Sequence, residues 1–314
     1  MSGRMRILSR SSVIYSLVLG LMLGGGVGAI SAAGTDAGWV PGLVAAGIFF
    51  LFYFRKPVRR WRAARRTLPR EWTAWIERHV PLYGRLDESA RERFDTDVKI
   101  LLDEWVFEGV DGVEVTETMK IGVAAGAALL LHGRPEWELP HRQTVLFYPD
   151  YFDGDYLIGE DGDGEFDGMA HQQGPIILSS IALEEAWERS DDGWNVVLHE
   201  LAHLLDYETD FADGVPSLID PRSAVAWQEL VDREMRRIQR RRSILREYGA
   251  TDPAEFFAVA VESFFERPEM MAKRHGELFA ALEALFNLDP RTGTQPQSEA
   301  PARLGDPPVR EVSS

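Results

Sequence analysis

No cysteine occurs in the 314 residues, which excludes disulfides, thiolate metal ligands and cysteine nucleophiles. Any metal held by this chain must be bound through His, Asp or Glu. Positive charge is also in deficit: 34 Lys and Arg stand against 50 Asp and Glu, a formal net charge of −16. That balance argues against nucleic acid as a direct partner, because binding a phosphate backbone needs basic residues to displace its counterions. Internal repeats are lacking too. What is present, 45% hydrophobic and 27% charged residues, is the composition of an ordinary globular protein. The length suits one sizeable domain with appendages, since single cores grow to about 200–250 residues.

The basic residues are unevenly placed, crowding the first seventy positions. Val13–Ala33 carries no charge and is long enough to cross about 30 Å of hydrocarbon at about 1.5 Å per residue. Trp39–Phe54 is a second uncharged run, short enough to need its ends in the interface or a thinner bilayer. Gly34-Thr35-Asp36-Ala37-Gly38 separates them. Arg4, Arg6 and Arg10 precede the first run, and Arg55, Lys56, Arg59, Arg60, Arg62, Arg65 and Arg66 follow the second. The positive-inside rule therefore predicts a two-helix anchor in the cytoplasmic membrane. Both termini and the soluble domain are expected in the cytoplasm. A cleaved signal peptide fits less well, because the apolar run is too long and a second one with a strong positive stop follows. Gly24, Gly25, Gly26 and Gly28 permit close helix approach, and the basic stretch from Arg55 to Arg70 suits anionic headgroups, making membrane lipid an expected partner.

Beyond residue 67 the spacing of apolar residues predicts helices over Glu71–Val80, Glu88–Glu108, Val115–Leu131, Asn195–Asp206, Val225–Arg242, Pro253–Glu266 and Glu277–Phe286. Thr144–Tyr148 and Gly174–Leu178 read as strands, bracketing an acidic, glycine-rich segment, Asp153–Gly168. An EF-hand-like frame from Asp161 would put Phe166 where glycine is required, so a solvated loop is expected there. The domain division is 1–67 anchor and juxtamembrane segment, 68–290 globular domain, and 291–314 a tail too polar and proline-rich to order itself.

One helix carries chemistry. In Val196-Val197-Leu198-His199-Glu200-Leu201-Ala202-His203-Leu204-Leu205, His199 and His203 lie four apart on one face and can direct two imidazole nitrogens at a single point. Glu200 stands beside them, placed to take a proton from a metal-activated water. Two histidines on a solvated helix would sit among polar neighbours, whereas these sit in one of the most apolar helices of the domain. Burying them without partners would cost several kcal/mol. Asp191 or Asp192 is the expected cap of this helix. A catalytic metal of this kind takes three protein ligands, and three acids compete for the third place. Asp206 suits a supporting role near a ligand histidine. Glu255 follows Asp252-Pro253, where it also reads as part of a helix cap. Glu262 lies two turns further along the same face. Spacing leaves Glu255 and Glu262 tied. Tyr248 is placed either to meet a tetrahedral oxyanion or simply on the surface.

In Leu68-Pro69-Arg70-Glu71-Trp72, Phe147-Tyr148-Pro149, Gly174-Pro175-Ile176-Ile177-Leu178-Ser179, Asn195–Asp206, Asp213-Gly214-Val215-Pro216 and Thr251–Val259, the chain resembles the Mlc titration factor A family of zinc peptidases, the glucose-regulated metallopeptidases. The resemblance implies an α+β, gluzincin-like domain similar to the anthrax lethal factor protease domain. It implies one Zn2+ per chain held by His199, His203 and Glu255, with Glu200 as general base, Tyr248 assisting at the transition state and Glu262 a supporting acid. It also implies a strand around Ile176 at the edge of the cleft, ready to pair with an extended peptide. The expected activity is hydrolysis of peptide or protein substrates, aminopeptidase-like, with a sugar-responsive transcriptional regulator as a further partner. A membrane-localised protein that sequesters such a regulator, with zinc structural, is the other reading. The hairpin and the strongly acidic segment both depart from the family pattern.

Overall fold

In the computed structural model the chain forms two compact units, Met1–Thr67 and Leu68–Ser314. The structure describes residues 10–32, 39–139, 142–150, 168–170, 174–206 and 223–296. The turn at 34–38, the acidic segment 153–167 and the Asp213–Pro216 motif lie outside the described residues.

The first unit is a pair of helices, α1 (Arg10–Ala32) and α2 (Trp39–Ala64). Both are long and apolar enough to cross a membrane. They press together where glycine removes bulk: a Cβ on Gly42 would collide with the Gly24 carbonyl oxygen, and one on Gly20 with the Phe50 ring. Their large side chains, among them Ile14, Leu21, Met22, Leu43, Leu51 and Phe52, point outward and are exposed. In water such a surface would be strongly unfavourable. The second helix outruns its apolar stretch. It continues past Phe54, through Pro57, to Ala64, because Arg and Ala in the basic segment are good helix formers.

The second unit is helix-rich α+β. Helices α3 (Arg70–His79), α4 (Pro81–Arg85) and α5 (Glu88–Glu104) lead into β1 (Val106–Gly109). There follow α6 (Glu117–Leu131), β2 (Thr144–Tyr148), β3 (Gly168–Ala170), β4 (Ile176–Ser179) and α7 (Ser180–Glu188). The remainder is helical: α8 (Val196–Asp206), α9 (Ala224–Gln239), a 3-10 turn over Glu247–Ala250, α10 (Pro253–Glu266), α11 (Pro268–Arg274) and α12 (Gly276–Phe286). The sheet has the order β1-β2-β4-β3. Strand β1 is parallel to β2, and β2 to β4, with Val106 opposite Thr144 and Val145 opposite Ile176. Strand β3 closes one side antiparallel to β4, Gly168 opposite Leu178.

Two expectations are corrected. The helix predicted over Glu88–Glu108 stops at Glu104: Trp105 is extended, and the Val106 N–H donates to Gln143 O (2.9 Å), so the last apolar residues join the sheet. The strand around Ile176 is interior rather than an edge, because β3 pairs along its outer side. Past Arg291 the chain still turns back on itself. An Asp289–Thr294 bridge and an Arg291–Asp289 ion pair (2.8 Å) hold it, and 297–314 lies outside the described residues.

Helix α6 forms the centre of the core. Twelve of its residues, from Met119 to Leu131, are buried. At about 1.5–3 kcal/mol for each fully buried large aliphatic side chain, it is a main source of cohesion. A Cβ on Gly126 would come within 2.8 Å of Val197 Cγ1, so α6 lies close along α8 and backs it with a dry surface. On the other side α10 packs Phe256, Phe257 and Phe264 into the interior, and Phe264 meets Phe279 of α12 with ring centres 5.3 Å apart.

Candidate metal centre

Helix α8 is positioned by Asn195, not by Asp191 or Asp192 as the sequence suggests. The Asn195 side-chain oxygen accepts from Leu198 N–H (3.1 Å), its amide nitrogen donates to Ala186 O (3.3 Å) and Glu266 Oε1 (3.0 Å), and its backbone N–H donates to Glu262 Oε2 (2.6 Å). Asp192 accepts instead from Trp194 N–H (2.9 Å), within the preceding turn. The result is a helix start tied directly to α10, the helix that supplies the acids.

Along α8, Val197, Leu198, Leu201, Ala202, Leu204 and Leu205 are buried, which fixes the helix rotation and brings His199 and His203 to the face opposite α10. Their rings lie 5.0 Å apart, nearly perpendicular. His199 Nε2 is 3.0 Å from Glu255 Oε2, and His203 Nε2 is 3.6 Å from the same oxygen. One ligand atom from each of His199, His203 and Glu255 falls within 4.8 Å of the other two. Two imidazoles and a carboxylate converging from two helices fit a divalent transition metal of the zinc type.

The two acids left tied by spacing are separated by geometry. Asp252 caps α10, accepting from Ala254 N–H (2.8 Å) and Glu255 N–H (3.0 Å), while the Glu255 side chain turns to the histidines. Glu262 lies behind His199: Oε1 receives the Nδ1 hydrogen (2.8 Å) and also pairs with Arg246, and its side chain is fully buried. Arg246 in turn stacks over Trp194, 4.7 Å from the ring centre. Asp206 ends α8, and its side chain lies outside the described residues.

Electrostatics follow from this crowding. Burial would lower the His199 pKa, but hydrogen bonds to Glu255 and Glu262 outweigh it and push it up to about 10. Burial would raise Glu255, yet the two histidines hold it well below the usual carboxylate range. Glu200 is pushed up, chiefly by burial, with the histidines opposing. Burial and the neighbouring Glu255 carboxylate, its hydrogen-bond partner, raise the Tyr248 phenol. That residue sits in the 3-10 turn with its ring 5.9 Å from His199. Strand β3 passes directly over Glu200: a Cβ on Gly168 would stand 2.8 Å from Glu200 Oε1.

Sequence reasoning passed over Asn195, Arg246, Gly168 and Glu266. Only Glu266 had a readable signal, four residues after Glu262 on the same face of α10. It bonds Gly193 N–H and the Asn195 amide, and burial pushes its pKa up to about 8.

Comparison with known proteins gives a consistent picture. The family model for glucose-regulated metallo-peptidase M90 matches residues 55–287. An uncharacterized protein of Synechocystis sp. is 29% identical over 238 residues, 72% of this chain and 86% of the relative. Mlc titration factor A of Salmonella arizonae is 29% identical over 245 residues (73% of this chain, 96% of the relative). The same-named protein of Cronobacter sakazakii is 30% identical over 237 residues (71% and 87%).

Proposed function

The chain belongs to the glucose-regulated metallo-peptidase M90 family, and on that premise we propose that it is a membrane-anchored, zinc-dependent peptidase. His199, His203 and Glu255 hold the metal, and Glu200 is the general base. The observation that carries this reading is the convergence of three ligand atoms within 4.8 Å, with Glu262 bonded to the far nitrogen of His199. When bound, zinc supplies a Lewis acid that polarises the scissile carbonyl and acidifies water.

The residues of the chain do the rest. Glu200, made more basic by burial, takes a proton from the attacking water onto its carboxylate and returns it to the leaving nitrogen. Tyr248 keeps its hydroxyl proton at neutral pH and donates a hydrogen bond to the oxygen on which negative charge develops. Glu262 accepts from His199 Nδ1, which keeps Nε2 turned toward Glu255. Strand β3, outermost in the sheet among the described residues and lying beside α8, offers backbone groups to an extended peptide. The proposal includes a gluzincin-like architecture similar to the anthrax lethal factor protease domain, and action of the aminopeptidase kind on peptide or protein substrates. Helices α1 and α2, apolar on their exposed surfaces, insert in the cytoplasmic membrane as a multi-pass anchor. Their flanking arginines keep both termini and the catalytic domain in the cytoplasm.

Glu200→Gln tests the reaction. Turnover of a fluorogenic peptide library should fall by about 10²–10⁴ while metal content by atomic absorption stays at one per chain. Undiminished cleavage with metal bound would refute Glu200 as base. The relatives named Mlc titration factor A favour a second reading, in which the domain binds a transcriptional regulator at the membrane. Capture of such a regulator by a Glu200→Gln protein that cleaves nothing would support it.

A further inference from the structure

Outside the metal centre, the least expected feature of this acidic chain is a run of six arginines between Arg233 and Arg242, with no lysine among them. The helix α9 and the residues just after it carry four of these to one place. Arg233, Arg236, Arg237 and Arg240 line an open cleft of about 410 Å³, with His275 and Gly276 on its other wall. Gly276 begins α12, whose N-terminus has no side-chain cap. The first intrahelical bond there is Phe279 N–H to His275 O, so the preceding N–H groups are left for other acceptors. Four guanidinium groups and the positive end of a helix thus face one volume.

Two acids share the cleft and do not neutralise it. Glu277 pairs with Arg233. Glu234 is occupied from below: Oε1 accepts from Arg237 (2.8 Å) and Oε2 from His275 Nδ1 (2.6 Å). His275 Nε2 lies 3.3 Å from the Ile244 N–H, so both ring nitrogens are engaged inside the protein. Arg237 is further fixed by donating to Arg274 O (2.8 Å). Arg236 and Arg240 remain, and their side chains make no ion pair among the described residues. A basic last turn complements the dipole of α9, but that benefit does not require the arginines to converge on the start of another helix. Arginine rather than lysine also suits the geometry of a tetrahedral oxyanion, which the guanidinium fork meets with two parallel hydrogen bonds.

We propose that this cleft between α9 and the N-terminus of α12 binds a phosphate group, carried either by a soluble phosphomonoester or by an anionic lipid headgroup, with Arg236 and Arg240 as its principal ligands. The site is separate from the metal centre and does not depend on the peptidase reading.

The test uses the full chain and arginine-specific labelling with phenylglyoxal, read peptide by peptide by mass spectrometry. In neutral detergent, inorganic phosphate should slow labelling of Arg236 and Arg240 by about tenfold or more relative to chloride at equal ionic strength, as expected for a bidentate ionic contact. In nanodiscs, phosphatidylcholine alone should give no protection, and added phosphatidylglycerol should protect only if the headgroup is the source. Protection by inorganic phosphate alone assigns a soluble ligand; protection by phosphatidylglycerol alone assigns the lipid. Calorimetry with the protective anion should lose its signal in Arg236→Gln/Arg240→Gln, a variant expected to keep its fold because neither side chain bonds another described residue. Equal labelling with phosphate, phosphatidylglycerol and chloride would overturn the proposal, as would undiminished binding by the folded double variant.

Discussion

Three groups converge on the Glu262 carboxylate, namely the His199 ring, the Asn195 backbone and Arg246, and their balance fixes how His199 faces Glu255. Glu262→Gln keeps the size but weakens that hold. Metal affinity, measured by competition with a chromophoric chelator, should fall about 10–100-fold with the fold retained by circular dichroism. A second residue-scale expectation concerns pH in protein stripped of metal. The His199 pKa is raised from 6.5 to about 10, so its contribution to stability is complete below 6.5 and is lost as pH rises through about 10. The Glu255 pKa is lowered from 4.5, so its contribution is present above 4.5 and is lost as pH falls. Between those limits His199 carries a proton that metal uptake must displace. Apparent affinity should therefore climb with pH by up to about tenfold per unit across pH 6 to 8; a flat profile would contradict this. The convergence of His199 and His203 was legible because four-residue spacing on an apolar helix is a local signal. The choice between Glu255 and Glu262 was not local: both carboxylates reach α8, and packing decides that Glu255 meets Nε2 of both histidines while Glu262 meets Nδ1 of His199.

At the scale of elements, β3 is three residues long, too short for alternation to reveal, and it forms only because β4 offers a partner. Its nearness to Glu200 leaves no space at Gly168 for a side chain. Gly168→Ala should displace the Glu200 carboxylate and reduce kcat by an order of magnitude or more, by analogy with the roughly 10²-fold cost of misplacing a catalytic group by 1 Å. Metal binding should be unaffected, and wild-type kcat in that variant would show that β3 does not constrain the proposed base. Helices α8, α10 and α12 were readable within a few residues, and so was α6, from its long Ala-rich apolar run rather than from periodicity. The exchange of helix for strand at Trp105 was hidden, since Val106 and Phe107 are apolar in either state and only pairing with β2 distinguishes them.

For the whole molecule, the two units differ in what covers their apolar surface. Among the described residues, the second unit buries most of its large apolar side chains, while α1 and α2 display theirs. Full-length protein should sediment with membranes and resist alkaline carbonate, and a reporter joined after Ser314 should be active only in the cytoplasm. Its digestion by protease added outside intact cells would overturn the proposed orientation. The two apolar runs made α1 and α2 visible in the sequence as helices long and apolar enough to cross a membrane, because bilayer thickness sets a length that can be read directly.

A single carboxylate oxygen, Glu255 Oε2, faces the imidazoles of both His199 and His203. Attraction across α8 and α10 therefore shapes the pocket before any ion arrives. Chelator-treated preparations should look healthy by every spectroscopic criterion while hydrolysing nothing. Loading history, rather than purity or folding, will then decide whether two batches of this protein agree.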